Sequence, residues 1–354
     1  MAEKDQKTVT HEPQAAENSA STTRKVAVAL QGGGSHGAFT SGVLDGLLEE
    51  PTLNITGATG TSAGAMNAVI LVDALVRGGP EEAQRALRRF WASIGKMHSV
   101  ADGTANQSVA NSTVNQNLSP YDLNPSNVNP LRGLLTEMID FERLRSQNAV
   151  HVAVCATNVW RAVRRVFNNK DISVDAVLAS ACLPHMSPAV EIDGEPYWDG
   201  GWTGNPAITA ILRDLDVHDL IVVRIDPSDR KETPRTLNQI NDRMVEIGFN
   251  STFWLEMAAI AVVLMLQDEG VPTIRTFFHC IEAPPELAKL ASSSKMNTDP
   301  AFLEYLFQMG RQTADAWLAE NSAAVGQRST FDLKALLPPD FKLEHSLGPG
   351  ISKT

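Results

Sequence analysis

A serine flanked by glycines is the residue in this chain best suited to nucleophilic chemistry. The stretch Gly60-Thr61-Ser62-Ala63-Gly64 is a G-x-S-x-G pattern, and it lies between a strand-like run and a helix-like run. In that context the serine lies on a sharp, strained turn and its hydroxyl projects at the C-terminal edge of a sheet. The pattern predicts Ser62 as a nucleophile. The alternative is that Ser62 only caps the following helix.

A glycine-rich loop precedes this turn in the sequence. Gly32, Gly34 and Gly37 fit G-x-G-x-x-G, the fingerprint of dinucleotide-binding folds. Such a fold needs a carboxylate at the end of its second strand to bind the ribose, but here that strand ends in Gly-Thr-Ser. The loop is therefore predicted as an oxyanion hole for acyl transfer, in which Gly33 and Gly34 donate backbone N–H groups and Ala63 adds another.

The serine also needs a general base within hydrogen-bond reach. Asp199 ends a strand-like run and precedes two glycines, which let the backbone turn sharply beside the carboxylate. An aspartate that only forms a turn with glycine is the alternative. The histidines are weaker candidates: His279 lies within a strand-like run, His345 in a tail rich in proline and glycine, and His185 on a loop without an orienting carboxylate.

Together these motifs resemble one enzyme family. The glycine loop, the serine turn and the Asp-Gly-Gly motif occur in the order seen in patatin-like phospholipases, over roughly residues 25–226. The resemblance implies hydrolysis of a lipid acyl ester through an acyl-enzyme, by a serine–aspartate dyad without a catalytic histidine, metal or cofactor. The implied site comprises Ser62 and Asp199 as the dyad, Gly33, Gly34, Ser35 and Ala63 at the oxyanion hole, and Gly32, Gly37, Gly60, Gly64, Gly200 and Gly201 as supporting glycines.

At one position the sequence departs from the family pattern. The family often has arginine or lysine where this chain has His36. A permanent cation is thereby replaced by a group expected to titrate near neutrality. The backbone donors survive this change. Two rival functions stay open: an acyltransferase that uses the same dyad to acylate an alcohol or thiol, and a catalytically silent protein that binds a lipid or a partner.

Strand and helix patterns alternate along the chain, which predicts an α/β fold with a mostly parallel central sheet and helices on both faces. The resemblance implies a patatin-like three-layer sandwich. One domain is expected over 25–340, with a core at 25–226 and a helical C-terminal part at 235–340, between flexible tails at 1–24 and 341–354. Strands are predicted at 25–30, 54–60, 149–159, 162–168, 188–198 (a hairpin), 218–226 and 273–281, and helices at 38–50, 62–76, 81–94, 130–139, 174–182, about 235–267 and 300–321.

Two segments need separate interpretation. Residues 97–130 are rich in Asn, Ser and Pro, and we expect 100–130 to form a loop that acts as a lid over the site. The apolar stretch 253–266 is too short to span a bilayer, which needs roughly 20 apolar residues. It is expected to be a buried helix near the acyl pocket, the alternatives being an oligomer contact or a lipid-facing surface.

Composition limits the classes of function. The net charge of −11 argues against a nucleic-acid-binding surface. Three scattered cysteines indicate neither a disulfide framework nor a zinc site. The polar N-terminal residues contain no apolar run of signal-peptide length, so we expect a cytoplasmic protein that contacts membranes only peripherally and transiently. The expected partner is a lipid or another acyl ester, and the oligomeric state is not indicated.

Overall fold

One sheet organises the computed structural model, which describes residues 23–103, 118–215, 217–227, 230–268, 276–290 and 292–337. Within these residues the sheet has eight strands: β1 (Arg24–Leu30), β2 (Leu53–Thr61), β3 (His151–Asn158), β4 (Val163–Asn168), β5 (Val190–Ile192), β6 (Glu195–Asp199), β7 (Asp219–Arg224) and β8 (Phe277–Glu282). Their order is β5-β6-β3-β2-β1-β7-β8, and β4 pairs with β3 outside this path. In this spatial order, every neighbouring pair in the run β3-β2-β1-β7-β8 is parallel. The pairs β3–β4, β3–β6 and β5–β6 are antiparallel.

Helices cover both faces of this sheet. They are α1 (Gly37–Glu49), α2 (Ala63–Gly103), α3 (Pro120–Leu123), α4 (Pro130–Met138), α5 (Phe141–Ser146), α6 (Val174–Ser180), α7 (Ile208–Asp214), α8 (Leu237–Asp268), α9 (Pro285–Ala288) and α10 (Pro300–Asn321). Successive side chains of a strand point to opposite faces. Accordingly, Val26 and Val28 of β1 join the core beneath α1, α2 and α10, whereas Ala27 and Ala29 join the core beneath α7 and α8. The predicted fold class is confirmed.

Helix α2 agrees with the sequence interpretation in its first part and corrects it at its end. The helices predicted at 62–76 and 81–94 are both present, separated where Gly78 and Gly79 (φ +76°) leave helical geometry before Pro80. The second helix then continues to Gly103, so the loop expected over 100–130 begins later than predicted. Of the expected lid at 100–130, residues 104–117 lie outside the described residues.

Helix α8 is longer than the apolar stretch that marks it in the sequence. Gln239–Leu266 is long and apolar enough to cross a membrane: an 18-residue stretch within it has a mean hydropathy of 1.6, and 39% of that stretch is buried. However, Glu256 in its middle points inward, where it accepts N–H bonds from Ile208 (3.1 Å) and Thr209 (2.8 Å) and pairs with Arg164 (2.9 Å). This carboxylate therefore caps α7 inside the protein.

The two faces of α8 differ in their surroundings. Phe253, Met257 and Ile260 are buried on the inner face, as predicted for a buried helix. On the outer face, large apolar side chains are exposed, including Leu255, which is 72% exposed. The domain limits of 25–340 stay a prediction, and residues 1–22 and 338–354 lie outside the described residues.

Candidate active site

Ser62 lies alone on a turn between two regular elements. β2 ends directly before it and α2 begins directly after it. Its φ of +57° falls in the left-handed region, which typically costs a non-glycine residue about 1–3 kcal/mol. The turn is also tight: a Cβ on Gly60 would lie 2.2 Å from the carbonyl oxygen of Gly64, and one on Gly64 would lie 2.2 Å from a carbonyl oxygen of β1. Only glycine fits at these two positions.

Polar groups around Ser62 come from its backbone and from a neighbouring helix. The Ser62 N–H donates to the Ser180 hydroxyl at 2.9 Å. The next N–H, that of Ala63, donates to no acceptor within the described part of the chain. The first turn of α2 carries no acidic side chain, so the positive end of the helix dipole faces this region without a counter-charge of its own.

Strand β3 brings Asp199 next to the serine turn. Its residue Cys155 pairs with Thr61, and the next residue, Ala156, pairs with Asp199. One edge of β3 pairs with β4 from Ala153 to Asn158. β6 therefore pairs with the same edge of β3 as β2 does, directly after β2 ends. The approach is close: a Cβ on Gly200 would lie 2.1 Å from the Cys155 carbonyl oxygen and 3.0 Å from Thr61 Cγ2. Nucleophile and base candidates therefore leave the sheet at the same point.

The Asp199 carboxylate is fully buried. Its Oδ1 accepts a hydrogen bond from the Gly201 N–H at 2.8 Å, whereas Oδ2 completes no hydrogen bond within the described residues. Burial raises the pKa of Asp199 to about 7, and the Gly201 N–H and the Ser62 hydroxyl offset part of that rise. A carboxylate with a pKa near neutrality is a far stronger base than one in water.

The glycine loop lies against Ser62, since a Cβ on Gly32 would be 2.8 Å from Ser62 Cβ. The Gly32 N–H is engaged by Asn205 Oδ1 at 2.7 Å. By contrast, the N–H groups of Gly33 and Gly34 donate to no acceptor in the described residues, and Gly34 has a φ of +59°. Two backbone donors beside the serine are thus available to an anion.

Comparison with known proteins decides the family. The sequence profile described as patatin-like phospholipase matches residues 28–212, which is more than half of the 354 residues. The chain belongs to the patatin-like phospholipase family. No curated protein sequence matches it.

Solved structures similar to this chain are distant. VipD from Legionella pneumophila is 13% identical, with a TM-score of 0.36, over 83% of this chain and 67% of VipD. The heterodimeric ExoU–SpcU complex from the type III secretion system of Pseudomonas aeruginosa gives 12% identity and a TM-score of 0.33, over 83% of this chain and 52% of the matched chain. The chain thus spans about half the length of that second match.

His36, where the family often has a cation, does not behave as expected from the sequence. It is buried, and its Nε2 lies 2.8 Å from the Ser294 hydroxyl. Burial, together with the nearby charges of Lys295 and Arg230, lowers the pKa of His36 to about 3. The expectation of a group that titrates near neutrality is therefore wrong, because desolvation disfavours the charged imidazolium.

A turn from the C-terminal part of the chain braces the glycine loop. The Ser35 hydroxyl donates to the Ser294 carbonyl oxygen at 2.9 Å, so Ser35 points at this 3₁₀ turn (Ser292–Met296). A Cβ on Gly34 would lie 2.2 Å from the Lys295 carbonyl oxygen. The loop is thus held from outside as well as by the sheet beneath it.

The other predicted candidates lie elsewhere. His279 is buried in the middle of β8, where it contacts Asp219 and Thr330, each at 2.9 Å. His185 is exposed, and His345 lies outside the described residues. Among the described residues, no group of three or more His, Cys, Asp or Glu side chains is arranged to hold a metal ion.

An apolar pocket of about 440 Å³ lies between α2 and α10, lined in part by Trp91, Leu303 and Phe307. It is close to the serine turn: a Cβ on Gly37 would lie 2.7 Å from both the Trp91 ring and the Ala63 side chain. The apolar stretch of α8, expected near the acyl pocket, does not line it.

Sequence reasoning missed three supports of the site: Ser180, Asn205 and the 292–296 turn. Asn205 is 173 residues from the glycine it holds, and Ser180 is 118 residues from Ser62. Ser180 and Asn205 each act through one contact with a distant backbone N–H group, and Ser294 of the turn contacts Ser35 and His36, which lie 259 and 258 residues away. No local pattern of residue types marks such a contact.

Proposed function

We propose that this protein hydrolyses acyl ester bonds of phospholipids or lysophospholipids through a Ser62 acyl-enzyme, with Asp199 as the general base. The observation that carries the proposal is the buried Asp199 carboxylate, which lies beside the serine turn because Asp199 and Thr61 pair with adjacent residues of β3. Its pKa is near 7, and its Oδ2 makes no hydrogen bond within the described residues. Family membership supports lipid acyl hydrolysis in general.

In the first half-reaction, the Ser62 hydroxyl gives its proton to Asp199 as its oxygen attacks the ester carbonyl carbon. Negative charge then develops on the carbonyl oxygen. The N–H groups of Gly33, Gly34 and Ala63 are the donors for it, and one such donor typically contributes ~10²–10³ in rate. When the tetrahedral intermediate collapses, the C–O bond breaks and the alcohol or lysolipid leaves with the proton held by Asp199.

The second half-reaction repeats these steps with water. Asp199 takes a proton from water as the water oxygen attacks the acyl-enzyme carbonyl. The same donors hold the oxyanion, and collapse releases the fatty acid while Ser62 recovers its proton. Neither half needs a histidine, since one carboxylate accepts and returns the proton in each.

The surroundings of the site support a lipid substrate. The apolar pocket beside Trp91 is the proposed acyl site, because Trp91 lines it and lies against Gly37, which also contacts Ala63 next to the serine. The outer face of α8 exposes Met244, Ile247 and Leu255, and we propose that it contacts the lipid surface transiently.

A fluorophosphonate probe and a mixed lipid panel test this function. Wild type is expected to be labelled on Ser62 and to release fatty acid from phospholipid or lysophospholipid. Asp199→Asn is expected to lower ester turnover by at least ~10²-fold, because the amide cannot accept the proton. Asp193→Asn is the matched control, since that aspartate lies in the exposed hairpin turn before β6.

The outcomes separate the rival functions. Near-wild-type turnover in Asp199→Asn contradicts the dyad. Acylated product in place of free acid, when an alcohol or thiol acceptor is added, indicates an acyltransferase. Folded wild-type protein that neither labels nor turns over lipid indicates the catalytically silent alternative.

A further inference from the structure

One short segment contacts the backbones of both candidate dyad residues. The Ser62 N–H donates to the Ser180 hydroxyl at 2.9 Å, and the Asp199 N–H donates to the Cys182 carbonyl oxygen at 2.8 Å. Ser180 is the last residue of α6, and the chain turns directly after it. Residues 180–182 therefore fix the candidate nucleophile and the candidate base relative to each other.

The contact to Ser62 carries most of the argument, because it goes to a strained residue. Ser62 has left the β2 ladder, which ends at Thr61, so no neighbouring strand accepts its N–H. The residue is buried, and its φ is +57°. A buried N–H without an acceptor is strongly unfavourable, so the Ser180 hydroxyl stabilises the strained turn. Ser180 itself is fully buried, so water does not replace it easily.

We propose that Ser180 is a positioning residue for Ser62, and that it sets the direction of the Ser62 side chain toward Asp199. This inference rests on the proposed function. Ser180 touches neither substrate nor proton in this scheme. It acts only through the Ser62 backbone, so its removal affects the chemical step and leaves lipid binding intact.

Ser180→Ala removes the acceptor and leaves a small side chain. We expect kcat to fall roughly 5- to 100-fold, the range that corresponds to one lost hydrogen bond to a buried group. KM is expected to stay within about 2-fold, because uniform binding is unchanged. The rate of fluorophosphonate labelling should fall with kcat.

A matched control lies at the other end of the same helix. The Ser173 hydroxyl caps α6 by accepting the Ala176 N–H at 3.1 Å, so Ser173→Ala weakens the helix without touching Ser62. A second pair of variants, Ser180→Thr and Ser180→Val, introduces side chains of nearly equal shape. The threonine keeps the hydroxyl group and the valine lacks it. Ser180→Thr should therefore retain more kcat than Ser180→Val.

Amide hydrogen exchange gives a readout that does not depend on activity. Exchange of the Ser62 N–H should accelerate in Ser180→Ala and stay slow in Ser173→Ala. The inference is overturned if the Ser62 N–H stays protected in Ser180→Ala, if the loss falls entirely on KM, or if both alanine variants lose the same kcat. If the Ser62 N–H exchanges faster in Ser180→Ala but wild type shows no Ser62-dependent turnover, the proposed function is refuted and the contact between Ser180 and Ser62 is not.

Discussion

Replacing Asp199 with asparagine should make the protein more stable while removing its activity. Burial disfavours the charged carboxylate, so the folded state binds a proton more tightly than the unfolded chain does. The folded pKa is about 7 and the ordinary value is 3.8. Because the folded pKa is the higher one, the carboxylate destabilises the fold progressively as pH rises from about 4 to 7, and fully above that.

The size of the effect follows from the two pKa values. Their difference of about 3 corresponds to about 4 kcal/mol, since each pKa unit is worth about 1.4 kcal/mol. This figure is an upper limit for Asp199→Asn, because the amide places an unpaired polar group where Oδ2 lies. At pH 8 we expect the free energy of unfolding of the variant to exceed that of wild type by about 1–4 kcal/mol. At pH 5 this difference should be smaller by about 2–3 kcal/mol.

Urea unfolding of both proteins at pH 5 and pH 8 measures this directly, with the midpoint and slope fitted together. Asp193→Asn, in the exposed turn before β6, is the control, and its stability should follow that of wild type at both pH values. A variant no more stable than wild type at pH 8 contradicts the reasoning. So does a gain that is equal at the two pH values, because only a titrating carboxylate makes it depend on pH.

Three further predictions concern the same surroundings. The kcat/KM of wild type should rise as pH is raised through about 7, since Asp199 must be ionised, and His36 with a pKa of about 3 should add no step between pH 5 and 9; a rate independent of pH argues against this base. Ser62→Gly should have a free energy of unfolding about 1 kcal/mol higher than that of Ser62→Ala, because glycine adopts the φ of +57° without strain. Equal urea midpoints for the two variants contradict a strained turn. Glu256→Gln should lower the free energy of unfolding by about 1–3 kcal/mol, because it leaves Arg164 and the α7 N–H groups with a weaker partner; an unchanged urea midpoint refutes the capping role.

Local patterns predicted most of the regular elements. Buried strands such as β1 and β7 read as continuous apolar runs, and the hairpin of β5 and β6 was marked by Asp193-Gly194, both of which have positive φ. Short helices were missed: α5 and α7 lie where no apolar period is long enough to register. The continuation of α2 to Gly103 was missed because 97–103 have no clear helical period and lie directly before the Asn- and Ser-rich stretch, with which they were grouped.

The candidate site was predictable as separate motifs but not as an arrangement. Gly60 is needed because of a backbone contact with Gly64, four residues away, whereas Gly64 is needed because of the Leu30 carbonyl oxygen on β1. The G-x-S-x-G pattern marks both glycines, but only the first of these contacts is local. His36 shows the limit: its charge state depends on burial beneath the distant 292–296 turn, which no neighbouring residue encodes. The cytoplasmic location and the single-domain limits stay predictions, because no contact in the described residues bears on them.

The meeting of Ser62 and Asp199 depends on a register that no motif specifies. On β3, Cys155 pairs with the last residue of β2 and the next residue pairs with Asp199, so the two motifs meet only because β6 continues the ladder where β2 leaves it. A slip of one residue in this antiparallel pairing would turn the Asp199 side chain to the other face of the sheet. The Asp199 N–H bond to Cys182 opposes such a slip, because it ties the strand end to the chain that follows α6. The proximity of Ser62 and Asp199 is therefore a consequence of long-range strand pairing.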